Sequence, residues 1–65
     1  MDAKKLRDRI IENELNMVMV ARRIGISEIS LRRKLNGSEK FTIREAKRLK
    51  VVLGLTNLEA LEIFL

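Results

Sequence analysis

Residues 17–36 read MVMVARRIGISEISLRRKLN, and two short amphipathic helices joined by a sharp turn account for this order of residues. Met17, Val20, Ala21 and Ile24 recur at the i, i+3, i+4, i+7 spacing of a helix with one buried face. Gly25 stops that helix, because glycine enters the left-handed conformation without a Cβ clash. Ile26 plugs the angle, and Ser27 has the hydroxyl of a good N-cap for the next helix, over residues 28–35. Leu31 and Leu35 form the inner stripe of that second helix. Glu28, Ile29, Arg32, Arg33 and Asn36 fall on its outer side, and Asn36-Gly37 ends it. Two helices joined by so short a turn cross steeply, and the small Ala21 allows the crossing.

The flanking sequence supplies support. A first helix is expected over about residues 3–13, with Asp2 as cap or first-turn acid and Leu6, Ile10, Ala3 and Ile11 turned inward. Leu15 and Asn16 precede the helix at 17–24 as staple and N-cap. Thr42-Ile43-Arg44-Glu45 spells a capping box, which fixes the start of a fourth helix over about 43–53, with Phe41 as its staple onto Ala46. Ala46, Leu49 and Val52 or Leu53 are its inner residues; Lys47, Arg48 and Lys50 point outward. Gly54 ends it, and Thr56 opens a last, very apolar helix over about 57–64.

The chain of 65 residues makes one domain, residues 1–65, and a chain this short buries a modest core. With no cysteine, neither a disulfide nor a thiolate metal site is possible. No apolar run approaches the roughly 18 residues that span a bilayer, and the opening MDAKKLRDR lacks the apolar centre of a signal peptide. The cytoplasm is therefore the expected compartment, and no membrane partner is expected. Histidine, cysteine, tyrosine and tryptophan are all absent, so the usual nucleophiles, bases and metal ligands have little to build on. No enzyme activity, cofactor or metal is expected. Single-strand RNA readers stack bases on aromatic rings, and Phe41 and Phe64 both have core roles here.

Charge is unevenly placed. Residues 1–15 are neutral, residues 16–50 carry ten Lys/Arg against Glu28, Glu39 and Glu45 for a net +7, and residues 51–65 carry −2. A basic surplus over the two-helix segment is the electrostatic footprint of a nucleic-acid binder; a solvated helix face is the plainer account of the same lysines and arginines.

Residues 15–37 resemble the helix-turn-helix of the Cro/cI-type phage repressors and the wider Xre-like bacterial regulators. In that family alanine in the first helix, glycine at the turn, GIS before the recognition helix and NG after it recur at these spacings, and with the supporting helices the resemblance spans nearly the whole chain. It implies an all-α, compact, five-helix lambda-repressor-like domain that binds double-stranded operator DNA as a transcriptional regulator in a bacterial or phage-infected cell. It carries base-edge contact onto Glu28, Ile29, Arg32 and Arg33. Arg32 or Arg33 can bond bidentately to guanine, Glu28 can accept from cytosine N4, and Ile29 can meet a thymine methyl. For Glu28 a simple first-turn acid favouring the helix dipole is a strong competing role, and for Ile29 partial burial is.

Backbone contact falls on Asn16 at the helix N-terminus, on Arg22 or Arg23, and on Asn36, Ser38, Lys40 and Arg44 around the loop at 37–41. Two positions depart from the family pattern. Met17 stands where relatives usually have glutamine and cannot make that residue's backbone contact. Lys34 stands where many relatives have an apolar residue, leaving Leu35 as the expected anchor. In the family the last helix often forms the dimer contact, which makes Leu58, Leu61, Phe64 and Leu65 candidate contacts to a second copy or to a partner repressor; closing the core is their other use. A chain this short has no room for a ligand-sensing domain, so regulation is expected to rest on concentration, competition for operators or a partner protein. The alternative function is an antirepressor or protein-interaction module that keeps this fold and binds a partner repressor through the apolar last helix.

Overall fold

Five helices and no strand form the computed structural model, which describes all residues, Met1–Leu65. They are α1 (Ala3–Glu12), α2 (Met17–Ile24), α3 (Glu28–Leu35), α4 (Ile43–Val52) and α5 (Asn57–Phe64). The molecule measures 27 × 24 × 20 Å.

Each helix begins on a side-chain cap. Asp2, Asn16, Ser27, Thr42 and Thr56 accept from the backbone N–H three residues on, as their short polar side chains and extended or turn backbones allow. At Thr42 and Thr56 the third helical residue, Glu45 or Glu59, reaches back to the cap's own N–H and completes a capping box. The first four helices also end alike. A residue in the left-handed conformation follows the last turn, and the next N–H reaches back across it: Leu15 to the Ile10 carbonyl, Ile26 to Ala21, Ser38 to Arg33 and Leu55 to Lys50. Glycine fills the left-handed position at 25, 37 and 54. At the end of α1 the residue is Glu14, with φ 58°.

α2 packs against α3 and α4, and α5 against α1 and α4. The fully buried residues come from every helix: Leu6 and Ile10, Val20, Ala21 and Ile24, Leu31 and Leu35, Leu49, and Ile63, joined by Leu53 and Leu55 from the α4–α5 connection. The chain start is tied to its end, where the Asp2 N–H donates to the Ile63 carbonyl at 2.7 Å. Arg9 spans to Glu59 (3.0 Å), and Lys5 pairs with Glu62.

Several expectations need correction. α1 ends at Glu12 with Asn13 as its cap, and α4 ends at Val52 with Leu53 as its cap, each one residue short of the expected span. Ile11 is 69% exposed, because it lies one residue round the helix from the Leu6–Ile10 stripe and no element covers that side. Leu53, one of the two inner positions expected at the end of α4, is buried as that helix's cap. Phe41 packs edge to face on Phe64, with ring centres 5.8 Å apart at 83°, which joins the α3–α4 loop to α5.

Candidate nucleic-acid interface

The short connection between α2 and α3 sets the geometry. Gly25 takes φ 81°, and a Cβ built there would lie 2.9 Å from Nη1 of Arg48. That guanidinium donates to the Ile24 carbonyl at 3.3 Å, so a cation from α4 closes the negative end of α2. The glycine is thus required for its left-handed backbone, whereas the contact above it falls on the far end of a flexible arginine that can shift. Arg48 belongs to the machinery that holds the turn, where the sequence pattern had it simply facing solvent.

From this turn α3 projects Ile29 and Arg33 outward, 63% exposed at Ile29 and with the Arg33 side chain 60% exposed. Partial burial of Ile29 is ruled out. Glu28 and Arg32 face the same side but bond to each other, with Nε and Nη2 of Arg32 at 3.0 and 2.7 Å from one carboxylate oxygen. This i, i+4 pair runs through one carboxylate oxygen and leaves Oε1 of Glu28 and Nη1 of Arg32 without a hydrogen bond, so it orients both side chains without using up either. The Arg33 guanidinium lies 3.8 Å from Glu39, a loose contact that leaves its fork available.

Around α3, the expected backbone-contact residues are all exposed. Asn16 uses its side-chain oxygen on the Met19 N–H (2.9 Å). Asn36 accepts from both the N–H and the hydroxyl of Ser38 (3.0 and 2.6 Å), which fixes the start of the loop. Arg22, Arg23, Lys40 and Arg44 take part in none of the ion pairs. Leu58 and Leu61 on α5 and Leu65 just past its end are 65%, 53% and 90% exposed, whereas Phe64 is half-buried against Phe41. Phe64 closes the core edge, and the other three make an uncovered apolar face.

Lys34 is the residue whose role sequence reasoning missed. It is buried at 7% exposure, the one charged side chain in the interior. Its ammonium donates to Oε1 of Glu45 at 2.7 Å and to the Lys40 carbonyl at 3.2 Å, and sits 5.9 Å from the Phe41 ring centre. The same carboxylate oxygen accepts from the Thr42 N–H at 2.9 Å. One cation thereby ties α3 to the N-terminus of α4 and pins the loop at 37–41 between them. Burial pushes the Glu45 carboxyl upward, but hydrogen bonds from Lys34 and Thr42 outweigh it and hold the group below the ordinary value. A helical wheel places Lys34 beside Leu31 and Leu35, a signal of burial. Its partner eleven residues away had no local signature.

No group of three or more His, Cys, Asp or Glu side chains is placed to hold a metal ion, and no helix is long and apolar enough to cross a membrane. Comparison with protein-family models, with curated proteins and with solved structures finds no match.

Proposed function

We propose that this chain is a sequence-specific double-stranded DNA-binding regulator of the Cro/cI kind, with α2, the turn and α3 acting as a helix-turn-helix. The observation that carries this reading is the α2–α3 unit. A left-handed Gly25 and a Ser27 cap hold a short helix whose outer side carries an exposed Ile29 and an Arg33 held only loosely by Glu39, with unpaired Arg22, Arg23, Lys40 and Arg44 around it. α3 enters the major groove, α2 crosses the backbone, and the loop at 37–41 and the start of α4 take phosphates. Two copies on one operator would read half-sites roughly 34 Å apart. Occupancy of the operator then excludes RNA polymerase, in the manner of a phage or prophage repressor.

The exposed Leu58, Leu61 and Leu65 favour a second reading, a protein-interaction module such as an antirepressor that binds a partner repressor through α5. The mutual Glu28–Arg32 pair lends it some support, since it partly engages two of the four outer residues of α3.

Fluorescence anisotropy separates the two. Labelled duplexes carrying the DNA that flanks the protein's own gene are compared with scrambled duplexes over a salt series. Tight binding to the flanking DNA alone, with log affinity falling linearly in log salt, is the expected result. Equal weak binding to both at low salt would transfer the assignment to the second reading.

A further inference from the structure

A shallow open groove between α2 and α4 is lined by Arg23, Arg44, Lys47 and Arg48 together with Ile43 and Val51, and no acid lines it. None of the four cations takes part in any of the molecule's ion pairs; Arg48 has its single hydrogen bond to the Ile24 carbonyl. Beside them, Ile43 and Val51 are 78% and 81% exposed, more than any other large apolar residue except Leu65. On α4, positions 43, 47 and 51 follow one line at four-residue steps, and 44 and 48 run alongside. The two aliphatics are therefore about 12 Å apart along the axis with cations between and beside them, two turns of helix in length.

Such a surface makes two demands on its occupant. It needs negative charge, and it needs apolar surface at both ends. A phosphate backbone meets the first demand and leaves Ile43 and Val51 facing water. The α5 face of a second copy meets the other with Leu58, Leu61 and Leu65, but its Glu59 and Glu62 are already paired with Arg9 and Lys5 and bring no free charge. An anionic lipid surface would meet the exposed aliphatics but not the concave side toward Arg23 on α2, and the vesicle arm of the test below separates it from a helix.

We propose that the α2–α4 groove binds an acidic amphipathic helix of a partner protein. Carboxylates of the partner engage Arg23, Arg44, Lys47 and Arg48, while aliphatic side chains on the same face cover Ile43 and Val51. This inference does not rest on the DNA reading, in which Ile43, Lys47 and Val51 take no part.

The test uses the full chain without DNA and a labelled helical peptide about 16 residues long, with Glu and Leu repeating on one face. Its control peptide has every Leu replaced by Ser. Expected are a dissociation constant on the order of 10–100 μM and amide shifts confined to α4 and the end of α2. Binding should weaken about tenfold for Lys47→Glu, for Val51→Ser and for the control peptide. Both substitutions lie at exposed positions, and circular dichroism verifies that each variant stays folded. Absence of binding, equal binding of the two peptides, or unchanged binding by either variant would overturn the proposal. So would shifts centred on α5, or anionic phosphatidylglycerol vesicles bound more tightly than the peptide with the same sensitivity to Lys47→Glu and Val51→Ser. Failure of operator binding leaves every one of these outcomes unaffected.

Discussion

Lys34 is where a single residue decides most. Removing one partner of a buried ion pair leaves the other charged and poorly solvated, whereas removing both and filling the space is often neutral. Lys34→Ala should therefore lower stability by about 2–3 kcal/mol, through the stranded Glu45 and the lost packing of the lysine stem. The double variant Lys34→Met with Glu45→Gln should recover most of that loss, because the stem is restored and the remaining amide still accepts from Thr42. Denaturant unfolding of the two proteins checks this. If Lys34→Ala costs less than about 0.5 kcal/mol, the pair does not organise the α3–α4 junction. Glu14 shows a different residue-scale fact. It adopts the left-handed conformation that glycine takes at the other three helix ends, a strain of about 1 kcal/mol. Nothing in the sequence around it reads as a left-handed position, since Asn13-Glu14 lacks the glycine that marked the ends of α2, α3 and α4.

At the scale of the elements, legibility followed the range of the interactions. Caps act over three residues, so Asn16, Ser27, Thr42 and Thr56 were readable, and with them the starts of four helices. Contacts between helices were not readable: Arg9 with Glu59, Lys5 with Glu62, Lys34 with Glu45 and Arg48 with the Ile24 carbonyl join residues far apart in the chain. These cross-links give the two capping boxes a pH dependence of definite sign. The Glu59 carboxyl is held below its ordinary 4.5 by the Thr56 N–H and by Arg9, and Glu45 is held below it as described above. Arg9 is correspondingly held above its usual value by its bond to Glu59. In both glutamates the folded state binds the proton less readily than the unfolded chain. Their contribution to stability is then complete above about pH 4.5 and is lost as pH falls through the lower folded values. No histidine titrates between 5 and 8. Thermal midpoints should therefore stay nearly level from pH 7 to 5 and drop below about 4.5. The variant carrying Glu45→Gln and Glu59→Gln should begin lower at pH 7 and fall less steeply in acid. A variant with the same acid slope as the native chain would show that these two carboxyls are not the linked groups.

For the molecule as a whole, five helices were legible because the apolar period, the caps and the three glycines all point to the same boundaries. What the periodicity left open was the use of the last helix. α5 is apolar on several sides, and only the structure divides it into a buried Ile63, a half-buried Phe64 that meets Phe41, and the uncovered Leu58, Leu61 and Leu65. Most residues named for the candidate site are exposed, with Glu28 and Phe64 only partly so. The Glu28–Arg32 pair within it was predictable from spacing alone but was not foreseen. The whole-molecule charge adds a further consequence for the proposed function. A net +5, concentrated around α2 to α4, attracts any duplex, so total affinity alone says little about sequence reading. A paired substitution separates the two contributions. Arg33→Ala removes an exposed, loosely paired guanidinium from the outer side of α3 and should weaken operator binding by about 1–3 kcal/mol, relaxing preference at one base pair while scrambled DNA is bound almost as before. Lys40→Ala removes a loop cation and should weaken both duplexes alike, lowering the slope of log affinity against log salt by about 1. Anisotropy titrations of both variants on both duplexes measure these quantities directly. If the two variants lose the same affinity on operator and scrambled DNA, Arg33 meets phosphate rather than a base, and α3 is not oriented in the groove as proposed.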